Sequence, residues 1–129
     1  MDPNRPMLEG IRVADMTTVI FGPYCTQFLA DLGADVVKIE PAEGDNGRKI
    51  GRPAKTPGMG ALHMSVNRGK RSVTWDLKTE EGRAKLRALI ASSDVFIHNV
   101  RSDAVGRLGL DYNAVRSFAP ETIYVHCTG

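Results

Sequence analysis

Residues 10–40, GIRVADMTTVIFGPYCTQFLADLGADVVKIE, carry the strongest secondary-structure signal in the chain. Residues 10–16 and 35–40 are short apolar runs typical of β-strands. Between them, Pro23 suits the first turn of a helix, apolar side chains recur at helical spacing from Tyr24 to Leu32, and Gly33 is placed to end that helix. Two strands joined by one helix in so short a stretch predict a βαβ unit with parallel strands and a right-handed crossover.

Strands and helices continue to alternate after this unit. The predicted elements are a short helix at 61–66, a strand at 71–77, a helix that starts at 79–82, a strand at 94–98, short helices at 103–108 and 112–118, and a strand at 122–127. Such alternation predicts an α/β fold with a parallel sheet. A chain of 129 residues has room for one domain, 1–129. The glycine- and proline-rich segment 41–60 lacks periodicity, so we expect it to be mobile.

The composition is that of an ordinary globular protein, with 42% hydrophobic and 25% charged residues. These values argue against disorder and against a disulfide-rich mini-protein, and no apolar run is long enough for a membrane helix. The first residues lack the apolar core of a secretory signal, which predicts a cytoplasmic protein. We therefore expect Cys25 and Cys127 to be reduced, buried thiols. The three histidines show no metal-ligand spacing, so no metal site is expected.

Charge is distributed unevenly along the chain. The formal net charge is +2, yet residues 46–75 contain seven basic and no acidic side chains. A one-sided stretch of this kind favours an anionic ligand, although a polar loop without a partner would have the same composition. Nucleic acid is a poor candidate for that ligand, because the net charge is small and only 6% of the residues are aromatic.

Standard catalytic and nucleotide-binding motifs are absent. The predicted first strand is followed by Phe21-Gly22-Pro23 and not by GxGxxG, and the chain has neither a Walker loop nor a GxSxG elbow. Ligands of parallel sheets bind at the carboxyl ends of the strands, which makes Asn99, at the end of a strongly apolar strand, a candidate contact. Asp15 could be an acid or base but is more typical of a turn or cap. From these observations alone the chain is an α/β domain with a basic loop and no assigned reaction.

Five segments follow one another in an order that is more specific than any single motif. They are LEGIRVAD (8–15), GP (22–23), LGADVVKIEP (32–41), NRGKRSV (67–73) and SDVFIHN (93–99). The chain, from about Leu8 to Gly129, resembles the amino-terminal part of the family III CoA-transferases, which include formyl-CoA transferase, carnitine CoA-transferase and α-methylacyl-CoA racemase. The resemblance implies a Rossmann-like parallel sheet flanked by helices and the binding of acyl-CoA as a substrate, without a permanently bound cofactor.

The resemblance also implies a set of CoA-contacting residues. Lys78 and Arg107 would contact phosphate or adenosine groups, and Asn99 and Val100 would line the passage of the pantetheine arm. The complete set of implied contacts is Val19, Ile20, Lys70, Arg71, Trp75, Lys78, Asn99, Val100 and Arg107. Many family members have an arginine directly after the VVKIE strand. Pro41 stands there in this chain, so we expect Arg48 or Lys49 to replace that arginine.

Family members are about three times as long as this chain and form interlocked homodimers. In the transferases an aspartate attacks the thioester of acyl-CoA, and the acyl group is then passed on to a carboxylic acid. That aspartate is expected beyond Gly129, so the resemblance implies an incomplete CoA-binding domain that is inactive alone. Two alternatives stay open at this point: an acyl-CoA racemase of the same family, and a nucleotide- or CoA-binding module without catalysis.

Overall fold

A computed structural model describes residues 5–52 and 54–128 of the chain. Its strands and helices alternate in sequence. They are β1 (Arg12–Met16), α1 (Phe21–Asp31), β2 (Asp35–Glu40), α2 (Ala61–Val66), β3 (Arg71–Thr74), α3 (Glu80–Ala91), β4 (Val95–His98), α4 (Ser102–Arg107), α5 (Tyr112–Phe118) and β5 (Ile123–His126). The strands form one parallel sheet in the order β3-β2-β1-β4-β5. This sheet confirms the predicted Rossmann-like α/β fold.

The central strand β1 is the point at which the strand order changes direction. Val13 of β1 pairs with Val36 of β2 on one side and with Val95 of β4 on the other. The chain therefore adds β2 and β3 in one direction and β4 and β5 in the opposite direction. In open parallel sheets the crevice beyond the carboxyl ends at such a reversal is the usual place for a ligand.

Alternate residues along the strands supply two cores on opposite faces of the sheet. Val13, Val36 and Ile97 form the core beneath α1, where Leu29 and Ala30 pack against them. The opposite core contains Ala14 and Phe96 with residues of the later helices. Its buried members are Ala14, Met16, Ile39, Leu86, Ile90, Phe96, Val105, Leu110, Val115 and Ala119. The sheet is thus covered on both faces, as the βαβ pattern requires.

The fully buried residues of helix α1 are small or polar, and several of the large apolar side chains on and just after the helix point outward. The helix buries Gly22, Pro23, Thr26 and Gln27, whereas the side chains of Tyr24, Phe28 and Leu32 are exposed. A Cβ on Gly22 would overlap the Thr17 side chain, so the helix approaches β1 too closely for larger residues. Cys25 shares the outward face and is exposed, and Cys127 is partly buried. The expectation of two buried thiols is therefore wrong for Cys25.

The loop after β3 begins earlier than predicted, and segment 41–60 has a short regular turn. The predicted strand 71–77 ends at Thr74, because Asp76 starts a turn: its carboxylate accepts the Lys78 N–H at 2.9 Å and its carbonyl accepts the Thr79 N–H at 3.1 Å. Segment 41–60 contains a 3₁₀ turn at Asn46–Lys49, and the expectation that this segment is mobile stays a prediction.

Candidate functional site

A cavity of about 300 Å³ opens at the carboxyl ends of the strands. Its walls come from the ends of β1 and β2 and from the segments that follow β2, β3 and β4. The lining residues are Met16, Thr18, Ile39, Glu40, Pro41, Ala42, Glu43, Trp75, Asp76, Leu77, Lys78, Val100 and Leu108. The mixture of an apolar wall with a few polar groups is typical of a small-molecule site.

Three of the residues implied by the resemblance, Trp75, Lys78 and Val100, line this cavity directly. Val19 and Ile20 lie in the loop that follows β1, next to the lining residue Thr18. Arg107 lies at the end of α4, adjacent to the lining residue Leu108, and its guanidinium pairs with Asp103 at 3.1 Å on the surface. The fold thus brings these positions, which are distant in sequence, to one edge of the sheet.

Lys70 and Arg71 lie elsewhere. The Lys70 ammonium is buried and donates to Asp15 Oδ2 at 3.1 Å, to the Pro23 carbonyl at 2.8 Å and to Asn67 Oδ1 at 2.8 Å. Arg71 begins β3, at the amino edge of the sheet, and its guanidinium pairs with Asp35 at 2.6 Å. Both side chains brace the sheet in this arrangement, so the site that we propose below omits them.

Asn99 holds the loop after β1 to the end of β4. Its side-chain Oδ1 accepts the Thr18 N–H at 2.9 Å, and its Nδ2 donates to the Thr18 carbonyl at 2.9 Å. Both hydrogen-bonding ends of the amide are therefore engaged with the backbone of one residue. This arrangement gives Asn99 a role in shaping the cavity wall, whether or not it also touches a ligand.

Two ion pairs link β2 to the segment that follows it. The ammonium of Lys38 lies 2.8 Å from Asp45 Oδ2, and both side chains are 1% exposed. The Glu40 carboxylate accepts hydrogen bonds from Arg48 Nε and Nη2, both at 2.6 Å, and from the Asp45 N–H at 2.9 Å. Burial alone would raise the pKa of Glu40, but the hydrogen bonds from Arg48, Asp45 and Ser72 outweigh it and lower that pKa to about 2. Glu40 is therefore a fixed anion at neutral pH.

Two stacked imidazoles fix the segment after β4. The rings of His98 and His126 lie 4.4 Å apart. His98 Nδ1 accepts the Val100 N–H at 3.2 Å, and His126 Nε2 lies 3.0 Å from the Val100 carbonyl oxygen. Tyr124 donates its hydroxyl proton to the Leu110 carbonyl at 3.1 Å, so it accepts from His98 Nε2 at 2.6 Å. Burial lowers the pKa of His98 to about 4, which keeps the ring neutral.

Four of the seven cations in the basic stretch 46–75 pair with acids from other parts of the chain. The four pairs are Arg48–Glu40, Arg68–Asp31, Lys70–Asp15 and Arg71–Asp35. The run of positive charge in the sequence is therefore not a basic surface of the same extent in the fold. The guanidinium of Arg48, which was expected to replace the family arginine, is already paired with Glu40. A ligand at this position would have to compete with Glu40 for it.

Sequence reasoning missed Lys38 and Asp45 as residues of this region. The available signal was a lysine in the middle of VVKIE, a strand otherwise apolar up to its last residue. A charged side chain at such a position requires a buried partner. The partner, seven residues further on, could not be identified without the fold.

A model of CoA-transferase family III matches residues 8–129. The chain belongs to CoA-transferase family III. It is 45% identical to succinate–glutarate CoA-transferase of Agrobacterium fabrum, an alignment that covers 98% of this chain and 34% of the relative. It is 44% identical to formyl-CoA:oxalate CoA-transferase of Streptomyces avermitilis, over 95% of this chain and 30% of the relative. The chain thus spans about a third of the length of these curated relatives.

The solved structures agree with this assignment. A CaiB/BaiF family protein from Brucella suis superimposes with a TM-score of 0.87 at 41% identity, covering 95% of this chain and 32% of that protein. No helix among residues 5–52 and 54–128 is long and apolar enough to cross a bilayer. In the same described ranges, no three His, Cys, Asp or Glu side chains are grouped so that they could hold a metal ion.

Proposed function

We propose that this family member is the CoA-binding part of an acyl-CoA:carboxylate CoA-transferase. The observation that carries the proposal is the cavity at the carboxyl edge of the sheet, where Trp75, Lys78 and Val100 come together. The substrates of the whole enzyme would be an acyl-CoA and a carboxylic acid. The transferases among the relatives, which act on small dicarboxylates and formyl-CoA according to their names, support this class.

The cavity suits the two chemical parts of CoA. Trp75, Leu77 and Val100 offer an apolar wall on which the pantetheine arm would lie. Lys78 and Arg107 are exposed cations near the rim, where they would meet the diphosphate and the 3′-phosphate. The contacts from Val19, Ile20 and Asn99 would come from the loop after β1 and from the end of β4.

We propose that residues 1–129 alone do not catalyse acyl transfer. The buried carboxylates near the edge are engaged with cations: Asp15 with Lys70, Glu40 with Arg48, and Asp45 with Lys38. An anion held in this way is a poor nucleophile. The attacking aspartate would follow Gly129 in a longer parent chain, which we propose to be a cytoplasmic, interlocked homodimer. Acyl transfer by the purified 129-residue chain would contradict this part of the proposal.

A fluorescence titration tests CoA binding, because Trp75 is the single tryptophan and lines the cavity. CoA is expected to change the Trp75 emission at lower concentration than dephospho-CoA or ATP. Equal responses to all three would favour a general nucleotide-binding module, and no response to CoA would refute the proposal. Lys78→Gln is expected to weaken CoA binding about two- to tenfold. Lys85→Gln, which removes a lysine on α3 that pairs with Glu81, is the matched control and should leave the affinity unchanged.

A further inference from the structure

The loop between β1 and α1 contains an unusual backbone conformation. Val19 has φ of 70°, and it is the one residue other than glycine with a positive φ among residues 5–52 and 54–128. A β-branched residue in this region is a clear outlier, because its side chain crowds the backbone. Such a conformation persists where the surroundings impose it. The question is which groups impose it here.

The Lys38–Asp45 ion pair supplies these groups. The Asp45 carboxylate accepts the Val19 N–H, with Oδ1 at 3.1 Å, and also accepts the Gly47 N–H at 2.8 Å. Lys38 Nζ donates to the Thr17 carbonyl at 2.7 Å while it pairs with Asp45. One ammonium and one carboxylate thereby hold the start and the middle of the loop from the β2 side. From the β4 side, the Asn99 side-chain amide hydrogen-bonds to the backbone of Thr18, which lies between Thr17 and Val19.

We propose that Lys38 and Asp45 are positioning residues, whose buried ion pair holds residues 17–20 in the conformation that forms one wall of the acyl-CoA site. This inference rests on the proposed function for its ligand. Neither side chain is placed in contact with CoA. Both act through the backbone of Thr17 and Val19, and the neighbouring Thr18 is part of the cavity lining.

Stability alone is a weak explanation for this pair. Two charges that are 1% exposed lose their hydration, and replacing such a pair by apolar residues is often neutral or stabilising. Burial would raise the pKa of Asp45, yet the hydrogen bond and charge of Lys38, together with the Gly47 and Val19 N–H groups, lower it. The carboxylate thus stays ionised and keeps acceptor oxygens directed at the loop. A Cβ on Gly47 would lie 3.3 Å from the Val19 carbonyl oxygen, so the loop is also closely packed at this point.

A pair of double variants of the full 129-residue chain tests the inference. Lys38→Met/Asp45→Asn and Lys38→Met/Asp45→Leu both remove the two charges, so neither leaves an unpaired buried ion. The asparagine retains an oxygen for the Val19 N–H, and the leucine does not. We expect the leucine variant to bind CoA about ten- to a hundredfold more weakly than the asparagine variant, because the binding-competent loop is less populated. Circular dichroism establishes that each sample is folded before the titration.

A second measurement requires no ligand. A positive φ brings the amide and Hα protons of a residue close together, which gives a strong intraresidue NOE. The NOE at Val19 is expected to be strongest in the parent, weaker in the asparagine variant, which keeps an acceptor for the Val19 N–H but no ion pair, and weakest in the leucine variant. An unchanged NOE with unchanged CoA affinity in both variants would overturn the positioning role. If the parent does not bind CoA, the proposed function fails, and the NOE still decides whether the ion pair holds the loop.

Should the leucine variant not fold, Gly47→Ala tests whether CoA binding depends on the position of this loop while the ion pair is intact. The added methyl group would lie 3.3 Å from the Val19 carbonyl oxygen, a contact tight enough to push the Val19 backbone outward by a few tenths of an ångström. We expect weaker CoA binding and a weaker Val19 NOE. A weaker Val19 NOE with parental CoA affinity would count against the inference, because the loop would then have moved without consequence for binding.

Discussion

Replacing Lys70 by methionine is expected to destabilise the fold severely without removing a ligand contact. The Lys70 ammonium is buried beside Asp15, and the side chains of the pair are 1% and 0% exposed. Methionine fills most of the same space but leaves the Asp15 carboxylate buried without a cation. Removing one partner of a buried pair in this way costs about 3–5 kcal/mol. This loss is a large part of the total stability of a small domain, which is about 5–15 kcal/mol.

The expected loss of stability comes from leaving the Asp15 carboxylate buried without a cation. The ion pair itself makes only a small net contribution to the free energy of unfolding. Burial lowers the pKa of Lys70, and although the charge of Asp15 acts in the opposite direction, it does not fully compensate. Lys70→Met/Asp15→Asn should therefore regain much of the stability that the single substitution loses. The asparagine Oδ1 can still accept from Thr17, and its Nδ2 can donate to Thr26 Oγ1, whose own proton then goes to the nearby Gly22 or Pro23 carbonyl.

Urea unfolding followed by circular dichroism measures these differences, and Arg71→Met is the matched control. Arg71 is the next residue in the chain, but its pair with Asp35 is exposed, with side-chain exposures of 65% and 39%. Its loss should cost less than about 1 kcal/mol. The reasoning would be refuted if Lys70→Met left the unfolding free energy unchanged and instead abolished CoA binding by folded protein, since Lys70 would then be a ligand contact.

Two further predictions concern the histidine pair and the glycines. The pKa of His98 is about 4 in the folded chain, below its ordinary 6.5, so the unfolded chain takes up the proton first as the pH falls. The contribution of the neutral ring to the free energy of unfolding is therefore fully present above pH 6.5. It falls by about 3 kcal/mol as the pH drops toward 4. Burial also lowers the pKa of His63, so urea unfolding at several pH values should be compared with His98→Phe, whose dependence should be shallower. Gly82→Ala should destabilise the fold by more than about 2 kcal/mol, since its Cβ would overlap the Asp76 carbonyl oxygen. Gly106→Ala meets no atom within 4 Å and should stabilise α4 by about 0.5–1 kcal/mol, so equal thermal shifts for the two glycine variants would contradict the packing.

The order of helices and strands could be predicted from the sequence because it depends on local patterns. The βαβ unit of residues 10–40 combines apolar runs of strand length with Pro23 and Gly33 at the ends of a helix, and the structure has β1, α1 and β2 there. The strand predicted at 71–77 was too long because its apolar pattern continues through Trp75 and Leu77. The turn at Asp76 depends on hydrogen bonds that the pattern does not show.

The site could be predicted only in part. Its edge followed from the rule that ligands bind at the carboxyl ends of parallel strands, and Trp75, Lys78 and Val100 do line a cavity there. These three positions came from the resemblance to known CoA-transferases. The same resemblance included Lys70 and Arg71, which lie in the NRGKRSV segment but pair with Asp15 and Asp35, and none of these four residues lines the cavity. A shared motif does not separate residues that bind a ligand from residues that brace the sheet.

The sequence by itself determined the α/β class, the chain order of the elements and the family, since all three depend on patterns of neighbouring residues. Only the tertiary structure decided which charged side chains pair with each other. The acid-free run 46–75 looks like an anion site along the chain, yet Asp31, Asp35 and Glu40 reach it from other elements. Lys38 meets Asp45 because β2 and the segment after it fold together over the loop that contains Val19. Electrostatic partners are set by distance in space, which sequence spacing does not record.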